Sequence, residues 1–205
     1  MSSNNDTRTP QQERSKQTKN KIISTAIELF STKGYYNTNS KEIAKEAGVS
    51  VGSFYAYFKD KKAVFMEMLG VLCEDVHTNM TNLDKIETIT DASSREIFHN
   101  LIKEIFKAHN LSPELHKEIT IMRNSDEEIN NIIVLREKEI IDKIHSYLVK
   151  WKNHIKVGDL EAASLIIYSC IDNTICMTRF SHIDIDESRL INELTNLLLT
   201  YLYKE

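Results

Sequence analysis

The chain has 205 residues, with 5 glycines, 2 prolines, 41% hydrophobic and 27% charged residues and a net charge of −4. That length suits one large domain or one small plus one medium. No apolar run approaches the roughly 20 residues that cross a bilayer, so no membrane partner is expected, and scarce helix breakers with apolar residues at helical spacing argue for an all-α fold of about nine helices.

Residues 1–12 read as a disordered polar tail, without the apolar stretch of a secretory signal. The first helix is predicted from about Gln12 to Lys33, with Ile22, Ile23, Ala26, Ile27 and Phe30 on one stripe and Gly34 ending it. Arg14, Lys16, Lys19 and Lys21 crowd its first turns. Asn39-x-x-Glu42 reads as a capping box that opens a second helix, with Ile43, Ala44 and Ala47 as its inner face. Gly48 permits a left-handed turn, with Val49 at the corner. Ser50 then caps a short third helix to about Phe58. Asp60 caps a fourth, to about Met80.

Further along, residues 81–92 form the least structured link. Ser93-x-x-Glu96 starts a fifth helix, to about His109. Ser112-Pro113 opens a sixth, to about Arg123. Ser125-x-x-Glu128 opens a seventh, to about Asn153, and Gly158-Asp159 an eighth, to about His182. Asp186-x-x-Arg189 leads into the last, to about Tyr203. Cys73, Cys170 and Cys176 lack metal-ligand spacing and read as buried free thiols of a reducing cytoplasm.

The close spacing of the second and third helices marks a helix-turn-helix. In such a unit the second helix lies in the major groove of DNA while the first braces the backbone. Phe54 and Phe58, at i and i+4, face inward. This turns Val51, Gly52, Ser53, Tyr55, Ala56 and Tyr57 outward. A glycine inside a helix costs about 1 kcal/mol, and close approach of the backbone to DNA is one reason to accept it. Tyr and Ser hydroxyls bond phosphate oxygens. Lys61, in the first turn of the next helix, opposes the helix dipole, and a phosphate partner would account for it. Charge supports the same division. Residues 1–62 hold 11 Lys and Arg against 6 Asp and Glu, a net of +5, and residues 63–205 hold 15 against 24, a net of −9. A basic head on an acidic body suits docking on phosphates.

These residues resemble the tetracycline-repressor (TetR) family of bacterial regulators. The resemblance runs from Ile22 to Leu69: Ala26, Leu29-Phe30, Gly34-Tyr35, Thr38, Ile43-Ala44, Ala47-Gly48-Val49-Ser50, Gly52-Ser53-Phe54-Tyr55, Tyr57-Phe58 and Lys61. It extends weakly to Ser112-Pro113-Glu114-Leu115-His116-Lys117-Glu118. The resemblance implies a DNA-binding domain over 13–60, a ligand-binding and dimerisation domain over 61–205, and contact with double-stranded operator DNA through Asn39, Ser50, Gly52, Ser53, Tyr55, Tyr57 and Lys61. Val51 stands where the family often has Lys and points to a thymine-methyl contact instead. Ser40 stands at a usually apolar position. The resemblance further implies a cytoplasmic repressor that binds a palindromic operator as a homodimer, joined through its last two helices, and that a small-molecule effector releases. Leu165, Tyr168, Ile171, Leu194, Leu198 and Tyr201 are the candidates for the dimer face.

Asp172 and Asn173 interrupt the apolar run of the eighth helix. A buried, unpaired carboxylate is expensive, so Asp172 faces a pocket, a subunit seam or solvent, and the last two together outweigh the first. Phe98, Phe106, Met122, Tyr147, Trp151 and Phe180 are the other pocket candidates. With no basic cluster in the body, an apolar or mildly cationic effector is expected. A rival reading rests on Glu74-x-x-His77, Glu96-x-x-His99 and Asp142-x-x-His145, the spacing used by di-iron carboxylate bundles. Such pairs arise often by chance among 30 acids and 7 histidines. There is no glycine-rich phosphate loop, no Gly-x-Ser-x-Gly and no cysteine near a histidine, so neither a cofactor nor an enzyme is expected.

Overall fold

The computed structural model describes residues 9–81, 91–108, 111–180 and 185–203, with side chains over 12–72, 94–107, 111–180 and 185–203. Among these residues every regular element is a helix: α1 (Thr9–Lys33), α2 (Ser40–Glu46), α3 (Val51–Tyr57), α4 (Lys61–Thr81), α5 (Asp91–Ala108), α6 (Pro113–Ser125), α7 (Glu127–Lys150), α8 (Leu160–Phe180) and α9 (Glu187–Leu202). The all-α fold expected from the sequence is therefore the one observed. Residues 1–8, most of the link at 81–92, and the side chains of Cys73, Glu74 and His77 lie outside the described residues.

Several boundaries moved. Thr9–Gln12 belong to α1 rather than to a tail. α5 opens at Asp91, two residues before Ser93. Ser125 does not cap α7. It ends α6, where its hydroxyl donates to the Ile121 carbonyl at 2.8 Å. α7 stops at Lys150, and its chain continues as turns over 151–154.

The chain forms two compact units. The first holds residues 1–71 and, from much later in the sequence, 114–126. Its core is built on Ile22, Ala26, Phe30, Ile43, Ala44, Phe54, Val64, Phe65 and Met68, all fully buried. Phe30, Tyr35 and Phe65 form an aromatic cluster with ring centroids 5.3–5.6 Å apart. Leu115 and Met122 of α6 are buried too. The Glu118 carboxylate accepts the Tyr35 amide N–H at 2.7 Å, and Asp126 pairs with Lys62 at 2.7 Å.

The second unit holds residues 72–113 and 127–205. Here α7 packs along α8 and α5 along α9. One apolar core joins Phe98, Ile102 and Phe106 of α5, Tyr147 and Leu148 of α7, Trp151 of the turn that follows, Ala163, Ile167, Ile171 and Ile175 of α8, and Ile191, Leu194, Leu198 and Leu202 of α9. α8 is long and apolar enough to cross a membrane by length and composition alone, contrary to the reading of the bare sequence. Its buried stripe belongs to this core, and it carries Glu161, Asp172 and Arg179.

Candidate nucleic-acid interface and body cavity

Local chemistry fixes the helix-turn-helix. Asn39 caps α2, its Oδ1 accepting the Lys41 and Glu42 amides at 3.1 and 3.0 Å. Lys33 first, and then the Asn39 backbone, hold the Glu42 carboxyl below its ordinary pKa, the pairing that a capping box brings about. α2 ends in a Schellman motif: Gly48 at φ +64° donates to the Lys45 carbonyl, and Val49 donates to the Ala44 carbonyl. Ser50 Oγ then accepts the Ser53 amide at 3.0 Å and starts α3. Both caps use oxygen lone pairs, so the Ser50 hydroxyl hydrogen and the Asn39 amide hydrogens still have donor capacity toward a phosphate.

α3 spans seven residues, about 10 Å at 1.5 Å per residue. It has one buried side and one open side. Phe54 and Phe58 point inward, with their rings 6.0 Å apart. Val51, Gly52, Tyr55 and Ala56 are exposed, and Ser53 and Tyr57 half-exposed. Tyr55 is 52% accessible, although a large aromatic surface is usually covered. No packing demand explains Gly52: a Cβ there would meet only the Ser50 hydroxyl, at 3.9 Å. Exposed Lys41, Lys45 and Lys59 flank α3 in the chain. They signal themselves in the sequence only as charge and were not among the expected contact residues.

Lys61 has a task inside the protein. Its ammonium donates to the carbonyls of Tyr35 and Thr38, at 2.7 and 2.8 Å, and lies 4.3 Å from the centre of the Tyr35 ring. It ties the α1–α2 turn to the start of α4, which accounts for a cation at a helix N-terminus without a phosphate. Two of its three N–H groups are used there. Partial burial lowers its pKa. The Tyr35 hydroxyl is pushed up to about 12, by burial first and then by the charges of Asp60 and Asp126.

The second unit encloses a cavity of about 80 Å³, lined by fourteen residues. Ten are aliphatic or phenyl, drawn from all four of its complete helices. The other four are Tyr147, Trp151, Tyr168 and Asp172. Trp151 stacks on Tyr147, with centroids 5.5 Å apart and planes at 15°, and meets Phe98 edge-on. It is 2% exposed, and its indole N–H has no hydrogen-bond partner in the protein. Cys176 lies near Asp172. Burial, and then that carboxylate's charge, push its thiol up to about 11, so it is protonated and unreactive at neutral pH. Cys170 and Cys176 are free but half-buried rather than buried.

The family model for bacterial regulatory proteins of the tetR family matches residues 22–68, which span α2, α3 and their bracing helices. Residues 22–68 thus form a TetR-type DNA-binding segment. The transcriptional regulator YuxN of Bacillus subtilis (strain 168) is 44% identical over 62 residues, 30% of this chain and 21% of the relative. A second regulator of that organism, YttP, is 30% identical over 131 residues, 62% of each chain, so this chain spans less than two thirds of those two relatives. The fatty acid metabolism regulator protein of the same strain is 27% identical over 196 residues, 90% of this chain and 95% of the relative. Among solved structures, a TetR-family regulator from Mesorhizobium loti superposes with a TM-score of 0.73 at 19% identity, over 93% of this chain and 99% of that one. The fold of the chain is thus matched along nearly its whole length.

The expected body residues divide. Phe98, Tyr147, Trp151 and Asp172 line the cavity, and Asp172 is also partly exposed. Phe106 is core behind it, Phe180 lies at the end of α8 outside the lining, and Met122 belongs to the first unit, where α6 packs. Of the expected dimer face, Leu165 is exposed and Tyr201 half-buried, but Ile171, Leu194 and Leu198 are buried by their own unit. Tyr168, Ile171 and Leu198 also touch the cavity. The helical period places these side chains on the stripe that meets neighbouring helices of the same unit. The outer stripe is instead Leu165, Ile166 and Met177 of α8 with Leu197 of α9, each 46–53% accessible. Among the described residues no three His, Cys, Asp or Glu side chains gather to hold a metal ion, and Glu96 and Asp142 are exposed.

Proposed function

We propose that this protein is a ligand-responsive transcription regulator that binds a palindromic DNA operator as a homodimer. Residues Ser50, Val51, Gly52, Ser53, Tyr55, Ala56 and Tyr57 enter the major groove, and Asn39, with the remaining N–H of Lys61, contacts the phosphates. The observation that carries this reading is the open face of α3. It is polar, aromatic and backbone-accessible at Gly52, while Phe54 and Phe58 lock the opposite face into the core. A groove about 12 Å wide accepts such a helix. One short helix reads few bases, so two copies serve half-sites about 34–36 Å apart. The exposed stripe of α8 and α9 offers the dimer face. Sitting over a promoter, such a dimer excludes polymerase, which makes repression the expected sign.

The effector enters the cavity of the second unit. As it stands, that cavity is smaller than the roughly 150 Å³ that admits benzene in an apolar core, so a larger ligand favours a widened body. A ligand shifts an equilibrium only by its differential affinity for the two states. The chain passes between the units at 71–72, 113–114 and 126–127, and through these connections a change in the body reaches the head. Duplexes selected from a random library on the purified protein test the proposal. A two-fold symmetric motif, bound by two chains and released by a small molecule, is the expected result. No enriched duplex, or binding by one chain to an asymmetric site, would contradict it.

A further inference from the structure

We infer that the cavity of the second unit selects an amphiphilic monocation: a compact apolar body with one cationic nitrogen for Asp172 and one hydrogen-bond acceptor for the Trp151 N–H. This rests on the reading of the cavity as the effector site and names the chemistry of its ligand. Three features of the wall converge. Asp172 is the one charged side chain among the fourteen lining residues. The rings of Tyr147, Trp151, Tyr168 and Phe98 line the same space, and aromatic rings attract cations held within about 6 Å of a ring centre, as Lys143 already lies 5.1 Å from that of Tyr147. The indole N–H of Trp151 is buried without a partner, and an unmatched buried donor is a cost that an incoming acceptor removes.

The same features exclude other classes. A ligand carboxylate would meet the charge of Asp172 in a low-dielectric wall whose lining residues include no Lys or Arg. A purely apolar ligand would leave Asp172 desolvated and Trp151 unmatched. Asp172 does not have to lack other contacts for this role, because a carboxylate has about four lone-pair sites. The preference separates this protein's ligand from the acyl carboxylate that a likeness to a fatty acid metabolism regulator would suggest.

The test uses Trp151 as its own reporter, since it is the chain's only tryptophan. The full-length protein is titrated with butyrylcholine, with its uncharged carbon isostere 3,3-dimethylbutyl butyrate, and with hexanoate. Tryptophan emission and calorimetry are followed in parallel. Butyrylcholine should perturb the emission and bind at least tenfold more tightly than the isostere, with hexanoate weakest. Asp172→Asn should erase the difference between cation and isostere while leaving the isostere's affinity within about twofold. By calorimetry, Trp151→Phe should remove the advantage of butyrylcholine over heptyltrimethylammonium, which lacks the ester acceptor. Thermal melts verify that both variants fold. Equal binding of cation and isostere to the wild type, a preference that survives Asp172→Asn, or no response to any probe would overturn the inference. Duplex binding by the ligand-free protein is scored separately, so a failed ligand preference and a failed regulator reading give different results.

Discussion

The head and the body are both helical and both built on buried aromatic and aliphatic side chains, yet they are specified differently. In the head, signals within a few residues of each other dictate each turn: Asn39 with Glu42, Gly48 with Val49, Ser50 with Ser53. The reading helix follows almost mechanically, because once Phe54 and Phe58 are buried the outward set is fixed by the helical period. In the body, the corresponding question is which stripe of α8 meets which neighbour. Contacts between helices that are far apart in sequence answer it. A motif can therefore be located from local chemistry, whereas a cavity is a property of the packed assembly.

The largest expected effect separates the two regions directly. Phe54→Ala removes a fully buried ring and should destabilise the head by about 3–5 kcal/mol. Helical circular dichroism should then fall at a lower temperature than the tryptophan emission changes, because Trp151 reports only the body. Coincident transitions would show that head and body melt as one unit and would break the contrast. Glu118→Ala tests the long-range contact of the head. It strips the acceptor from the Tyr35 amide, 83 residues away in sequence, at a cost of about 1–3 kcal/mol in chemical denaturation. Glu118→Gln, which keeps an acceptor oxygen, should recover most of that loss.

Gly48→Ala probes the purely local side. A Cβ at φ +64° would meet the flexible end of Lys21 at 3.3 Å, which can move, so the backbone penalty of about 1–2 kcal/mol remains. A loss much larger than this would mean that the turn is held by packing rather than by conformational preference. The smallest effect is in pH. Lys33 and Glu42 pair across α1 and α2. The pairing lowers the Glu42 pKa from 4.5 and raises that of Lys33 from 10.5, with the hydrogen bond between them the leading cause in each case. The Glu42 contribution is present above pH 4.5 and lost as the pH falls through the lower folded value. The Lys33 contribution is present below pH 10.5 and lost as the pH rises through the higher one. Denaturation midpoints of Glu42→Gln should therefore lose part of the wild type's acid limb, by a small margin because both groups face solvent.

Much of this molecule was legible beforehand, unevenly. The reading face needed only one amphipathic turn, and the caps at Asn39, Ser50 and Asp60 each bond as their sequence pattern suggests. α6 was not legible as part of the head's compact unit, because Leu115, Glu118 and Met122 reveal their partners only in three dimensions. Lys61 carried a real anomaly, but its solution was two backbone carbonyls rather than a phosphate alone. Asp172 was singled out by its hydrophobic neighbourhood. That it borders the cavity depends on the register of α8 against its neighbours. Ile171, Leu194 and Leu198, expected at a dimer face, are buried by their own unit for the same reason: α8 and α9 are apolar on more than one side, and composition alone does not say which side their own chain covers.

The central claim is that the open face of α3 lies against DNA, and Gly52 tests it most directly. Nothing in the protein crowds a Cβ there, so Gly52→Ala should leave the fold intact and raise helix stability by roughly 0.5–1 kcal/mol. Its affinity for the selected duplex, measured by fluorescence anisotropy at fixed salt, should nonetheless fall at least tenfold. An affinity equal to that of the unmodified protein would place the DNA elsewhere and contradict the account.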